Sequence, residues 1–160
     1  MNKTLQKIKY LLILAAIAAT SAGCTKMTTA PVAPYTTALQ AGTQKIFVQV
    51  VTTPQEMQQG LSGREKLGDN QGMLFNFGAG AGVTPQFWMK DMKFNLDLIW
   101  IKNNKIVSIT KNAPKPEPGA KDSQLAVYSS PAPVDAVLEV NAGWTDRNAV
   151  KIGDGARVEN

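Results

Sequence analysis

Two β-rich runs, LDLIWI (96–101) and KIVSIT (105–110), meet around the short link Lys102-Asn103-Asn104-Lys105. A link that short joins neighbouring strands only as an antiparallel hairpin, so this part of the chain is committed to a sheet. Other runs read the same way: KIFVQVV (45–51), GMLFNF (72–77), LAVYSS (125–130), DAVLEVN (135–141) and a terminal strand over 156–158, entered through the turn Ile152-Gly153-Asp154-Gly155. Helical signals are few. In TPQEMQQGL, Thr53 as N-cap, Pro54 at the first helical position and Glu56 three residues after the cap predict a capping box and a short helix over 54–59, stopped at Gly60. Thr145-Asp146-Arg147 predicts the cap of a last short helix before Lys151. Strands outnumber helices by roughly three to one, so the expected class is α+β, dominated by β-structure.

The lone cysteine, Cys24, makes no intramolecular disulfide, and the fold must be held by packing. It ends an N-terminal segment with Lys3, Lys7 and Lys9, then the apolar run LLILAAIAA, then the small residues of TSAGC. That order is the layout of an export signal, and the apolar run is shorter than the roughly 20 residues needed to span a bilayer. The end of the segment resembles a lipobox. The expected organisation is therefore a signal peptide over 1–23, an acylated Cys24 with a Thr-, Ala- and Pro-rich tether over 24–42, and one domain over 43–160. Acyl chains would anchor the chain in a membrane of the cell envelope, with the domain exported to the periplasm or the exterior. Removing residues 1–42 is expected to leave a soluble, cooperatively folding domain. Without the three signal lysines, 14 basic residues face 12 acidic ones, with no dense basic stripe, and nucleic acid is not an expected partner.

GLSGREKL (60–67), GMLFNF, FWMKDM (87–92), LDLIWI, VLEVNAG (137–143) and IGDGARV (152–158) occur in an order and spacing that resembles the domain-of-unknown-function 192 family, DUF192. The sequence departs from the family pattern at Ser62, where methionine is usual, and at Asp91-Met92, where Asn-Thr is usual. The resemblance implies a compact single domain over about 45–158, a mixed sheet curling toward a half-barrel with two short helices, often exported. It implies no settled activity.

The chain has no histidine, which removes the commonest general base and the commonest transition-metal ligand. GAGAG (78–82) lies in a loop with no capped helix behind it, so it reads as a connection and not a phosphate cradle. The proline-rich APKPEPGAKD (113–122) reads as a surface loop. What remains is a set of cations and carboxylates: Arg64, Lys90, Asp91, Asp97, Glu139 and Asp154. Asp154, between two glycines, reads as a turn former. In FWMKDM, period-two alternation puts Phe87, Met89 and Asp91 on one face of a strand and Trp88, Lys90 and Met92 on the other. Lys90 and Asp91 then mark where the strand leaves the core; the sharper alternative is a ligand cleft in which Trp88 and Lys90, with Arg64 and Asp91, offer a stacking surface beside cations. The function this supports is a non-catalytic binding or accessory module of the envelope, monomeric, without metal or cofactor, for a glycan, peptide or small molecule. The alternatives are a hydrolase of envelope glycans or peptides using Asp97 and Glu139 as a carboxylate pair, and a purely structural envelope protein.

Overall fold

The computed structural model describes residues 34–159. The signal, Cys24 and most of the tether named above lie outside the described residues. In chain order the elements are β1 (Thr37–Ala41), β2 (Gln44–Val51), α1 (Pro54–Gln59), β3 (Gln71–Asn76), β4 (Gln86–Trp88), β5 (Leu96–Lys102), β6 (Lys105–Ala113), a 3-10 turn (Asp122–Gln124), β7 (Val127–Ser129), β8 (Ala136–Asn141), α2 (Trp144–Arg147) and β9 (Ala156–Val158).

The β5–β6 hairpin forms where the sequence places it. Its turn residues Asn103 and Asn104 have φ of 49° and 58°, the left-handed pair that Asn tolerates and that matches the twist of the flanking strands. The capping box of α1 is also present: the Glu56 amide donates to Thr53 Oγ1 at 3.3 Å and the Thr53 amide donates to Glu56 Oε2 at 3.1 Å. α1 is the crossover between β2 and β3, the one parallel pair of a seven-stranded sheet ordered β6-β5-β8-β3-β2-β1-β9. This mixed sheet curls into a half-barrel. At one end its edges approach through a bridge between Lys105 and Gly155, where the Ile106 amide donates to the Asp154 carbonyl at 2.9 Å.

Alternation along the strands builds a core on each face of the sheet. The concave face collects Leu39, Ile46, Val48, Leu74, Ile99, Leu138 and Val140, with Trp144 of α2 against them. The convex face collects Met73, Phe75, Leu98, Trp100 and Val137, and is covered by Leu61, Met89 and Met92 from the loops. The small β4–β7 ribbon lies on this face, with Phe87 edge-on to Phe75 at 4.8 Å and to Trp100 at 5.6 Å between ring centroids.

Three expectations are corrected. The domain does not begin at residue 43: β1, inside the expected tether, sits between β2 and β9, and its Leu39 and Ala41 are fully buried. FWMKDM is strand only to Trp88; a turn follows, with Asp91 at φ 57° and the Met92 amide donating to the Met89 carbonyl at 3.1 Å. The turn breaks the period of two and returns both Met89 and Met92 to the core. Finally, α2 is capped not by Thr145 but by Gly143, at φ 75°, and its open amides are satisfied from outside the helix by Asp97.

Candidate functional site

Glu139 stands on β8 opposite Met73 of β3 and Leu98 of β5, so it points to the convex face within an otherwise apolar run. It is 5% exposed. Among the described residues its carboxyl group has no hydrogen-bond or ion-pair partner, although every fully inaccessible side-chain polar atom has one. The carboxyl oxygens must therefore open onto space. That space is a cavity of about 190 Å³ between α1, the loop behind it, β3 and β4. Phe75, Phe77, Phe87 and Trp88 form much of its wall, with Met57, Met92 and Leu61 beside them and the neutral polar Gln58, Gln59, Ser62 and Gln86 at its sides.

Burial pushes the Glu139 carboxyl up to about 8, against an opposing pull from the Arg64 guanidinium. Arg64 approaches from the loop after α1. Its guanidinium donates to Gln49 Oε1 at 2.7 Å and to the Tyr35 hydroxyl, and it lies 5.8 Å from the centroid of the Tyr35 ring. Gln49, Met73 and Glu139 are consecutive cross-strand neighbours on the same face, which is how the sheet brings the cation near the acid.

The expected cleft of Arg64, Trp88, Lys90 and Asp91 is divided. Trp88 is 48% exposed, with the Lys90 ammonium 5.6 Å from its ring centroid. These two and Asp91 border a shallow polar cleft with Gln55, Gln58 and Ser62. Lys90 is held by Asp122 at 2.5 Å, which raises its pKa, and its carbonyl accepts from the Ser62 hydroxyl at 2.8 Å. Arg64 instead turns toward Tyr35, Gln49 and Glu139. Trp88, Gln58, Gln59 and Ser62 line both the polar cleft and the Glu139 cavity.

Asp97 and Glu139 are not brought together. Asp97 pairs across with Val140 and Glu139 with Leu98, so the two carboxylates leave opposite faces of the sheet. Asp97 is fully buried and accepts from the amides of Asn112, Gly143 and Thr145 and from the Thr145 hydroxyl, the last at 2.6 Å. It has no face open to a substrate. Asp154 takes the turn role expected of it, accepting from the Lys151 amide at 2.9 Å. Among the described residues no three Asp or Glu side chains converge as metal ligands, and no helix is long and apolar enough to cross a membrane.

A larger opening of about 560 Å³ lies at the mouth of the concave face. Its acid, Asp135, is occupied by the Lys102 ammonium at 2.7 Å and the Asn103 amide at 2.9 Å, with the Gly82 amide nearby. The amide and ammonium donors hold its carboxyl down at about 2, so it serves the fold. Sequence reasoning missed Tyr35, Gln49, Phe75, Phe77 and Met57 as parts of the Glu139 site. The signal was there for the acid alone, as the one charge inside the apolar run 137–140.

The two carboxyls act on stability in separate pH windows. Glu139 is raised above its ordinary 4.5, so the native state holds a proton that the unfolded chain releases between about 4.5 and 8, and stability falls as pH rises through that range. Asp135 is lowered from 3.8, so its contribution is present above that value and is lost as pH falls toward 2. Urea unfolding at pH 5 and pH 8 is expected to show a loss on the order of a few kcal/mol at the higher pH, flattened in Glu139→Gln. An unchanged slope in that variant would remove Glu139 as the cause.

The family model DUF192, described as Uncharacterized ACR, matches residues 36–158. Two crystal structures are similar. A "putative transcription regulator" from Sinorhizobium meliloti 1021 is 30% identical with a TM-score of 0.61, covering 76% of this chain and 91% of its own. A protein of unknown function from Novosphingobium aromaticivorans DSM 12444 is 26% identical with a TM-score of 0.63, covering 76% of this chain and 83% of its own. No curated protein matches the chain.

Proposed function

The chain belongs to the DUF192 family, and from that premise we propose that its domain is a non-catalytic binding module working through the Glu139 cavity, held to an envelope membrane by an acylated Cys24. One observation carries the binding reading: a buried carboxyl without a partner among the described residues opens onto a cavity rich in aromatic side chains. Leaving such a group unpaired is costly, and natural folds retain it where something else satisfies it. A ligand that fills the cavity and bonds the carboxyl supplies that partner. The envelope location is supported by the export-signal layout and by Cys24 at its end. Catalysis by a carboxylate pair has no support in this geometry, because the second acid faces the other side of the sheet.

The test is a thermal-shift screen of the intact chain against one-ring and short-chain fragments, paired with mass spectrometry of the mature N-terminus. A fragment that fills the cavity raises the melting midpoint by mass action, and the rise shrinks in Glu139→Gln. Fragments whose effect survives that substitution would place binding elsewhere. An unmodified Cys24 would remove the anchor.

A further inference from the structure

Four rings, from Phe75, Phe77, Phe87 and Trp88, and two methionines line the Glu139 cavity beside neutral polar and aliphatic groups, and Glu139 is the one ionisable side chain among its lining residues. Ring faces carry the negative side of the aromatic quadrupole, and methionine sulfur is polarizable, so such a wall favours positive charge over negative. The same chemistry is already in use at the rim, where the Trp88 ring holds the Lys90 ammonium within 5.6 Å.

Resting on the reading of this cavity as a ligand site, we propose that its ligand is a small organic cation, an amine with a one-ring or short-chain body, whose ammonium group pairs with the Glu139 carboxylate while the rings enclose the body. The volume sets the size. A cavity of roughly 150 Å³ accommodates benzene, and this one measures about 190 Å³.

The groups around the acid fix the proton balance. Met73 of β3 and Leu98 of β5 flank it and carry no charge. From the loop after α1 comes Arg64, its guanidinium held back by Gln49 and Tyr35. Lys90, beyond Trp88, is tied to Asp122. Because burial outweighs Arg64 and the free carboxyl stays protonated near neutral pH, the bound ammonium displaces one proton to solvent for each cation taken up. Affinity therefore climbs by up to roughly tenfold per pH unit below about 8 and levels off above it. A neutral or anionic ligand that accepts a hydrogen bond from the protonated acid gives the opposite slope.

The experiment is calorimetric titration of the intact chain with benzylammonium chloride, benzyl alcohol and sodium benzoate at pH 6 and pH 7.5. The expected result is binding of the cation, at least tenfold tighter at pH 7.5, with proton release seen as a dependence of the heat on buffer. In Glu139→Gln the cation loses at least tenfold in affinity and the pH dependence disappears, while the melting midpoint at pH 7.5 is no lower than that of the unsubstituted protein. If the alcohol or benzoate binds and the cation does not, the cavity is a ligand site and the cation inference is overturned. If none of the three binds, the inference and the binding reading fail together. Cation affinity unchanged in Glu139→Gln also overturns the inference.

Discussion

A chain that starts at Thr43 is expected to remain unfolded, while one that starts at Pro34 folds. The difference is β1. Five of its residues pair with β2 and three with β9, so its loss exposes one strand and leaves the closing strand of the half-barrel without its ladder partner. Leu39 and Ala41 are also removed from the concave core, where both are fully buried. Truncating a buried leucine alone costs about 2–5 kcal/mol, and the lost ladder adds to it, against a total stability of about 5–15 kcal/mol for an ordinary domain. The Tyr35 hydroxyl that steadies Arg64 goes as well. Circular dichroism and thermal melting of the two chains decide the matter. A chain from Thr43 that melts cooperatively within a few degrees of the longer one would show that β1 is an accessory strand.

That strand also shows where the sequence stops being readable. TALQA has one large apolar residue among Thr, Ala and Gln, and nothing local distinguishes it from the tether before it; it is a strand because β2 and β9 flank it. By contrast, the hairpin and the capped helix were legible because their determinants lie within a few residues of one another: Asn103-Asn104 for the turn, and Thr53, Pro54 and Glu56 for the cap. FWMKDM misleads for a local reason. Asp91 takes a left-handed conformation, and from there a period of two no longer describes which side chains face inward.

The site was half legible. Glu139 could be singled out as the one charge inside the apolar run 137–140, but its meeting with Arg64 depends on the lateral order β2-β3-β8, which places Gln49, Met73 and Glu139 in one row. The separation of Asp97 from Glu139 depends on register in the same way. A slip of one residue between β5 and β8 would have put both acids on one face.

Asp97 is where a substitution is expected to cost most. Its carboxylate is the shared acceptor for three amides and a hydroxyl drawn from the end of β6, the turn before α2 and α2 itself. A four-residue helix capped by glycine has no side chain of its own to satisfy its first amides, so the acid from β5 ties the helix, and Trp144 with it, against the concave core. Asp97→Ala removes every one of these acceptors without removing the donors. Each donor left buried and unpaired costs about 1–3 kcal/mol, reduced where water can enter, and the total is expected at about 3–5 kcal/mol. Asp97→Asn preserves the shape but turns an amide NH₂ toward groups that also donate, so it should lie between. Thr145→Val deletes one donor together with its bond and should cost only about 1 kcal/mol. Urea unfolding of the three variants, with the Asp97→Ala/Thr145→Val double variant to measure coupling, gives the order directly. A loss under about 1 kcal/mol for Asp97→Ala would mean that water replaces the carboxylate, and that the helix does not depend on it.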